Sequence, residues 1–98
     1  MLSIALNIKD RPVTIVGGGS VALRKFNTLV NEGALITVLA KDFVDGFVGK
    51  NIKLIKDAYK KEYIEGAFLL YIATGDEEVN RRAEADAKEL GILFNRCD

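Results

Sequence analysis

Short apolar runs alternate along this chain with longer segments whose apolar residues recur at helical spacing. Val13-Thr14-Ile15-Val16 is short and β-branched, which predicts a buried strand. Gly17-Gly18-Gly19 breaks it. Ser20 to Glu32 then predicts a helix with Ala22, Phe26, Leu29 and Val30 on one face. Ser20 is the expected N-cap of that helix and Gly33 its C-terminal stop. Leu35–Leu39 predicts a second strand, and Asp42–Val48 a short helix or irregular turn ended by Gly49. Ile52–Ile55 predicts a third strand, and Tyr59–Ile64 a short helical crossover. Ala67–Ala73 is the most apolar stretch and reads as a central strand, apolar on both faces as parallel strands are. The longest helix is expected to open at Asp76 or Glu77 and run to Leu90, with Val79, Ala83, Ala87 and Leu90 on its apolar face and Gly91 ending it. Ile92-Leu93-Phe94 predicts the last strand. Ser3–Ile8 alternates loosely, which suggests an extra edge strand before the first parallel one.

Strands alternating with helices indicate βαβ units around a parallel sheet. The expected fold is α/β: a three-layer α/β/α domain on an open, mostly parallel five-stranded sheet, occupying residues 1–98 as one domain. Ligands of such sheets bind beyond the carboxyl ends of the strands. That rule gathers residues 17–22, 40–43, 58–59, 74–76 and 95–98 on one rim.

Composition narrows the chemistry. Of 98 residues 49% are hydrophobic, enough for a packed core, and 14 basic residues balance 14 acidic ones. A neutral chain lacks the footprint of a nucleic-acid binder, so no nucleic-acid partner is expected. No apolar run is long enough to span a bilayer, and Met1-Leu2-Ser3 opens without a basic signal-peptide region; no membrane partner and a cytoplasmic location are expected. The one cysteine, Cys97, fits a reducing compartment. There is no histidine, which removes Ser–His and Cys–His catalysis and most zinc sites; no metal site is expected. Acid–base work then falls to Asp, Glu, Lys, Tyr or a substrate group.

Gly17-Gly18-Gly19-Ser20-Val21-Ala22 fits the G-x-G-x-x-A pattern of a dinucleotide-binding Rossmann domain, between a predicted strand and a predicted helix. Gly17 would permit the tight turn, Gly19 would let backbone approach a pyrophosphate, and Ala22 would keep strand and helix close. Ser20 and Val21, at the helix N-terminus, would offer N–H groups and a positive partial charge to the phosphates of NAD. The acid expected about 20 residues on, to hold the adenosine ribose, is not in its usual place. Asp42 comes slightly late, and Lys41 beside it suits a 2′-phosphate, so NAD and NADP both stay open.

These segments together resemble the N-terminal domain of siroheme synthases, the precorrin-2 dehydrogenase and sirohydrochlorin ferrochelatase family. Leu6-Asn7-Ile8-Lys9-Asp10-Arg11-Pro12-Val13 is similar to its lead-in, and Gly19-Ser20-Val21-Ala22-Leu23-Arg24-Lys25 to its glycine turn. Glu32-Gly33-Ala34-Leu35-Ile36-Thr37-Val38, Ala73-Thr74-Gly75-Asp76 through Asn80, and Asn95-Arg96-Cys97-Asp98 match further family segments. The resemblance implies NAD-dependent oxidation of precorrin-2 to sirohydrochlorin, with hydride passing from a reduced tetrapyrrole carbon to the nicotinamide, and in some members insertion of ferrous iron. It implies a tetrapyrrole substrate, a longer homodimeric enzyme of which this chain is the N-terminal part, and a catalytic Asp98. It also implies cofactor contacts at Ser20, Val21, Lys41 and Asp42, while the strand order puts Thr74 and Asn95 near the nicotinamide. Gly75 and Arg96-Cys97 depart from the family pattern, and Cys97 reads as a small filler with no base beside it. Arg24, Lys25, Arg81, Arg82 and Arg96 are candidates for substrate carboxylates. The alternative is a regulatory NAD-binding module of the kind attached to potassium transporters; the lead-in before the first strand and Leu39-Ala40 at the end of the second favour the enzyme.

Overall fold

The computed structural model describes residues 2–97. Five strands, β1 (Pro12–Val16), β2 (Leu35–Ala40), β3 (Ile52–Lys56), β4 (Leu69–Ile72) and β5 (Leu93–Arg96), form one sheet in the order β3-β2-β1-β4-β5, with every pairing parallel. Helix α1 (Ser20–Val30) packs on one face and α2 (Glu77–Leu90) on the other. This is the three-layer architecture expected from the alternating pattern.

The strands' period of two explains how the two faces are filled. Val13 and Ile15 of β1 join Ile36 and Val38 of β2 and Leu69 of β4 beneath Ala22, Phe26 and Leu29 of α1. Phe26 is wholly buried and meets Phe47 edge to face, ring centroids 5.2 Å apart. The intervening residues Val16, Leu39, Leu70 and Ile72 face α2, whose Ala83 and Ala87 are small enough to bring that helix close. Tyr59 and Ile64, around the single 3-10 turn Lys61–Tyr63, complete this second core.

Helix ends follow local chemistry. Asp76 caps α2, its carboxylate accepting from the N–H groups of Glu78 and Val79. Gly91 ends α2 at φ 69°, a left-handed conformation that costs glycine little. At α1 the expectation is corrected. Ser20 is the first helical residue rather than the cap, the cap is Gly19, and no side chain satisfies the first-turn donors. The helix also stops at Val30, before Glu32.

Other departures have physical reasons. Residues 3–8 form no strand, and Leu2, Ile4 and Leu6 are exposed. The lead-in turns at Lys9-Asp10 straight into the central strand, where β2 and β4 already occupy both edges. Residues 42–48 take the irregular of the two forms expected, and carry Phe43 and Phe47 onto the α1 core. β4 is interior, but the centre of the sheet is β1. Leu90 is 38% exposed, because it ends α2 where the chain leaves through Gly91. Asn80 takes the buried helical position in its stead, at 3% exposure.

Two substitutions measure these contributions by urea unfolding. Phe26→Ala should cost about 3–5 kcal/mol, as the loss of a large core side chain with a residual cavity. Asp76→Ala should cost about 1 kcal/mol through loss of the α2 cap.

Candidate functional site

The carboxyl ends of the strands are levelled by backbone bonds that continue the ladders one residue further. Gly17 N–H donates to Leu39 O (2.8 Å), Ala73 N–H to Val16 O (2.8 Å), Cys97 N–H to Ile72 O (2.8 Å) and Asp57 N–H to Ala40 O (3.0 Å). These residues therefore share one rim. Above it opens a cleft of about 530 Å³, walled by residues 16–21, 39–42 and 73–76, with Asp57, Tyr59, Val79 and Cys97.

The three glycines have distinct duties. A Cβ on Gly17 would lie 2.3 Å from the Ala73 carbonyl oxygen, and its φ of 139° disfavours any side chain. A Cβ on Gly18 would lie 2.1 Å from the Asp42 carbonyl oxygen and 2.7 Å from the Ala40 methyl. Gly18 also accepts from Val44 N–H at 2.8 Å, tying the glycine turn to the segment after β2. Gly18 is thus as constrained as Gly17, which its free position in the motif conceals. Gly19 is the opposite case: nothing lies within 4 Å of where its Cβ would be. The turn holds backbone against backbone on one side and presents open space on the other.

Two helix N-termini reach this rim, and they differ in kind. The first turn of α2 carries Glu77 and Glu78, and the Asp76 carboxylate already takes two of its donors. The first turn of α1 has no acidic residue and no side-chain cap, and its first helical bond runs from Leu23 N–H to Gly19 O. The N–H groups of the residues between are left to whatever fills the cleft. An anion placed there meets the positive end of the helix dipole.

The expected residues Gly17, Gly19, Ser20, Val21, Lys41, Asp42 and Thr74 all line the cleft. Asn95 does not. It lies within β5, exposed, one strand position before Arg96, and does not line the cleft. The β5 strand runs on to Arg96, and Cys97 is what reaches the rim. Asp98, the expected catalytic acid, lies outside the described residues. Arg96 pairs with Glu77 and, at 3.9 Å, with Glu84, which ties β5 to α2. Arg82 stacks over the Tyr59 ring at 5.2 Å. Both arginines thus have structural partners within the domain. Cys97 packs against the α1 core while lining the cleft, in keeping with a filler.

Thr74 is held by a small network. Buried Asn80 donates from Nδ2 to the Thr74 carbonyl (3.1 Å) and accepts from the Thr74 hydroxyl, which itself accepts from Asp76 N–H at 3.1 Å. The hydroxyl's single proton is spent within the protein, on Asn80 and the Asp76 carbonyl, so towards a ligand Thr74 can accept but not donate. Asn80 shares a helical face with Ala83 and Ala87, and a polar residue at such spacing is the sequence signal that marks it.

Asp57 and Tyr59 follow β3. The Asp57 carboxylate accepts from the Tyr63 hydroxyl and from Ala58 N–H (2.7 Å), and Lys60 Nζ lies 3.4 Å away. These donors hold its carboxyl below the usual carboxylate range, and the Tyr63 hydroxyl is pushed up in return. Burial and the Asp86 carboxylate, 2.6 Å from the hydroxyl, push Tyr59 well above its ordinary value. Burial raises Tyr71 as well. At the end of β2, Asp42 pairs with Lys56 at 3.7 Å, both exposed. Among the described residues no group of His, Cys, Asp or Glu is clustered to hold a metal, and no helix is long and apolar enough to cross a membrane.

Comparison with known proteins bears on this geometry. Residues 4–98 match a family described as "Putative NAD(P)-binding". The chain is 40% identical over 95 residues to a siroheme synthase of Psychrobacter arcticus, covering 93% of this chain and 17% of that protein. It is 34% identical over 105 residues to the siroheme synthase of Methylobacillus flagellatus, covering 99% of this chain and 22% of that protein. The solved structure of SirC, a precorrin-2 dehydrogenase, superposes with a TM-score of 0.80 at 28% identity, over 97% of this chain and 48% of that one. The chain therefore spans about a fifth of the length of these siroheme synthases and about half of SirC.

The glycine geometry predicts an uneven response to a single methyl group. Gly17→Ala and Gly18→Ala should each destabilise by about 2 kcal/mol or more in urea unfolding, as overpacking against backbone. Gly19→Ala should stay within about 0.5 kcal/mol of the parent. The tyrosines make a second test. All three of them, Tyr59, Tyr63 and Tyr71, have raised values in the folded chain. Folded chains then resist an ionisation that unfolded chains undergo near pH 10, so stability is whole below about pH 10 and falls as pH rises beyond it. Ultraviolet titration should show Tyr59 resisting ionisation until the chain unfolds; a Tyr59 titrating normally in the folded chain would contradict its burial against Asp86.

Proposed function

From the premise that the chain belongs to the NAD(P)-binding family, the family of the siroheme synthase N-terminal domain, we propose that it binds NAD(H) for the oxidation of precorrin-2 to sirohydrochlorin. The observation that carries the binding is the pairing of an open Gly19 with an uncapped, acid-free α1 N-terminus. It supplies backbone donors, a positive partial charge and room for a pyrophosphate at a single point.

The residues present fit the cofactor. Gly19, Ser20 and Val21 would hold the pyrophosphate. Asp42, past the end of β2, would accept from the adenosine ribose hydroxyls, with Lys41 beside it. Thr74, Gly75 and Cys97, past β4 and β5, would border the nicotinamide half. When bound, the cofactor supplies the hydride acceptor, and the protein supplies position. Asn80 fixes the loop bordering that half through Thr74. The family resemblance assigns Asp98 the proton released as the tetrapyrrole is oxidised, a role that a carboxylate suits. Siroheme synthases and SirC are longer than this chain. The reading therefore makes residues 1–98 the dinucleotide domain of a longer enzyme, with homodimer formation and any ferrous-iron insertion belonging to the whole protein. A cytoplasmic site of action accords with that metabolism.

Asp42 tips the reading toward NAD. Its carboxylate would accept from the ribose 2′-hydroxyl, and the 2′-phosphate of NADP replaces that donor with a further acceptor. Calorimetric titration should find NAD(H) binding roughly tenfold tighter than NADP(H), about 1.4 kcal/mol, and Asp42→Ala should narrow that gap. Gly19→Asp should abolish binding of both without unfolding the chain, because it puts an anion where the pyrophosphate sits. Binding that survives Gly19→Asp would refute the proposed phosphate site. In the dehydrogenation assay of the full-length enzyme, Asp98→Ala should remove turnover and spare NAD(H) affinity.

A further inference from the structure

Asp57 is the one acidic side chain that the end of β3 contributes to the cleft wall among the described residues. It is also fixed in place. Its backbone N–H continues the β2–β3 ladder to Ala40 O, and its carboxylate is held by Ala58 N–H and the Tyr63 hydroxyl, with Lys60 alongside. Those donors keep it ionised; Oδ2 is taken by the Tyr63 hydroxyl and Lys60, while Oδ1 accepts from Ala58 N–H and keeps a second lone pair for a ligand. Leu39 and Tyr59, both buried, line the cleft close by. The Tyr59 hydroxyl is committed to Asp86 and Arg82 lies over its ring, so Tyr59 brings ring carbon, not its hydroxyl, to the cleft wall beside Leu39.

Position along the sheet says which part of a ligand this acceptor meets. A pyrophosphate on the α1 N-terminus sits over β1. One strand outward is β2, with Asp42 for the ribose; the next is the edge strand β3. Neighbouring strands are about 4.8 Å apart, so the end of β3 lies roughly 10 Å from that of β1. A nucleoside extending from the phosphate toward this edge brings its base to Asp57. An ionised acceptor beside an apolar surface selects a flat ring that carries a hydrogen-bond donor on its rim. Lys41, Lys56 and Lys60, the other charged groups nearby apart from Asp42, can only donate.

Resting on the dinucleotide reading above, we propose that Asp57 reads the base of the bound dinucleotide, its carboxylate accepting a hydrogen bond from the exocyclic amine of adenine. The lysine pairing of Asp57 and its bond from Tyr63 orient the acceptor and prevent its protonation. A base that carries an oxygen in place of that amine turns a lone pair toward the carboxylate and is rejected.

The test titrates the chain by calorimetry with NAD and with nicotinamide hypoxanthine dinucleotide, which differs in having a carbonyl oxygen where adenine has its amine. The parent chain should bind NAD about tenfold tighter, the discrimination expected of one charged hydrogen bond. Asp57→Asn, whose amide can donate to the carbonyl, should bring the two ligands within about threefold of each other. Equal affinities in the parent chain overturn the proposal while leaving the dinucleotide reading intact. So does an Asp57→Asn chain that binds both ligands more weakly by the same factor, since that is the mark of a residue that only shapes the turn. Failure of the parent chain to bind either ligand overturns both readings. If Asp57→Asn does not fold by circular dichroism, Asp57→Ser takes its place, with an oxygen still able to accept from Ala58 N–H. A tenfold preference persisting in that chain overturns the assignment to Asp57.

Discussion

The rest of the structure depends on how closely the backbone after β1 approaches its neighbours on both sides. The site of a Cβ on Gly17 is filled by the Ala73 carbonyl, and that of a Cβ on Gly18 by the Asp42 carbonyl. The chain beyond the central strand is therefore clasped between the extensions of β4 and β2. This contact fixes where α1 begins, because the helix can start only once the clasp has released the chain at Gly19. The orientation of α1 then sets where Ala22, Phe26 and Leu29 meet the sheet. Core packing and the cleft are thus two faces of one steric arrangement. A methyl group that damages the clasp would move the helix and the cleft wall together.

The polar groups around the cleft are largely satisfied within the protein, and the exceptions are informative. No buried side-chain nitrogen or oxygen among the described residues lacks a hydrogen-bond partner. Thr74, Asn80 and Asp76 close on one another, Tyr59 closes on Asp86, and Arg96 closes on Glu77. Buried polar networks of this kind specify geometry because an unmade bond is costly in a low-dielectric interior. Against that background the free donors of the α1 first turn stand apart. In the sheet's order they lie between Asp42 and Asp57 on one flank and Thr74 and Cys97 on the other.

Much of this was readable from sequence. The strands were, because a parallel sheet buried on both faces leaves continuous apolar runs such as Val13–Val16 and Leu69–Ile72. The G-x-G-x-x-A turn was, because its glycines answer a local steric demand. What could not be read depended on neighbours distant in the chain. The need for glycine at position 18 comes from Asp42, which the motif does not mention. Asp57 stands among Lys56, Lys60 and Lys61 with no motif to mark it, and only the β2–β3 pairing puts it on the cleft. The end of β5, expected at Phe94, lies at Arg96 because it is set by pairing with β4, through Arg96 opposite Ile72. The lead-in resembled a strand since its alternation is real, yet a strand also needs a free edge.

The charge arrangement indicates how a dinucleotide would be held. The chain carries equal numbers of acidic and basic residues, so its overall field would do little to draw in a dianionic ligand from a distance. Past the ends of β2 and β3, Asp42 stands with Lys56, and Asp57 with Lys60, so the acids there are locally compensated. Exposed pairs of this kind contribute little to stability, about 0–1 kcal/mol each. Their effect is to let a carboxylate accept a hydrogen bond from a sugar or base without setting an uncompensated negative charge beside the phosphates. The remaining attraction comes from the N–H groups and dipole of α1, which act within the first turn. Affinity built on such short-range contacts in a cleft is screened less by salt than attraction between exposed charges. The acid-free first turn of α1 is what makes this possible: a glutamate there, as at the start of α2, would compete for the same donors and repel the same ligand.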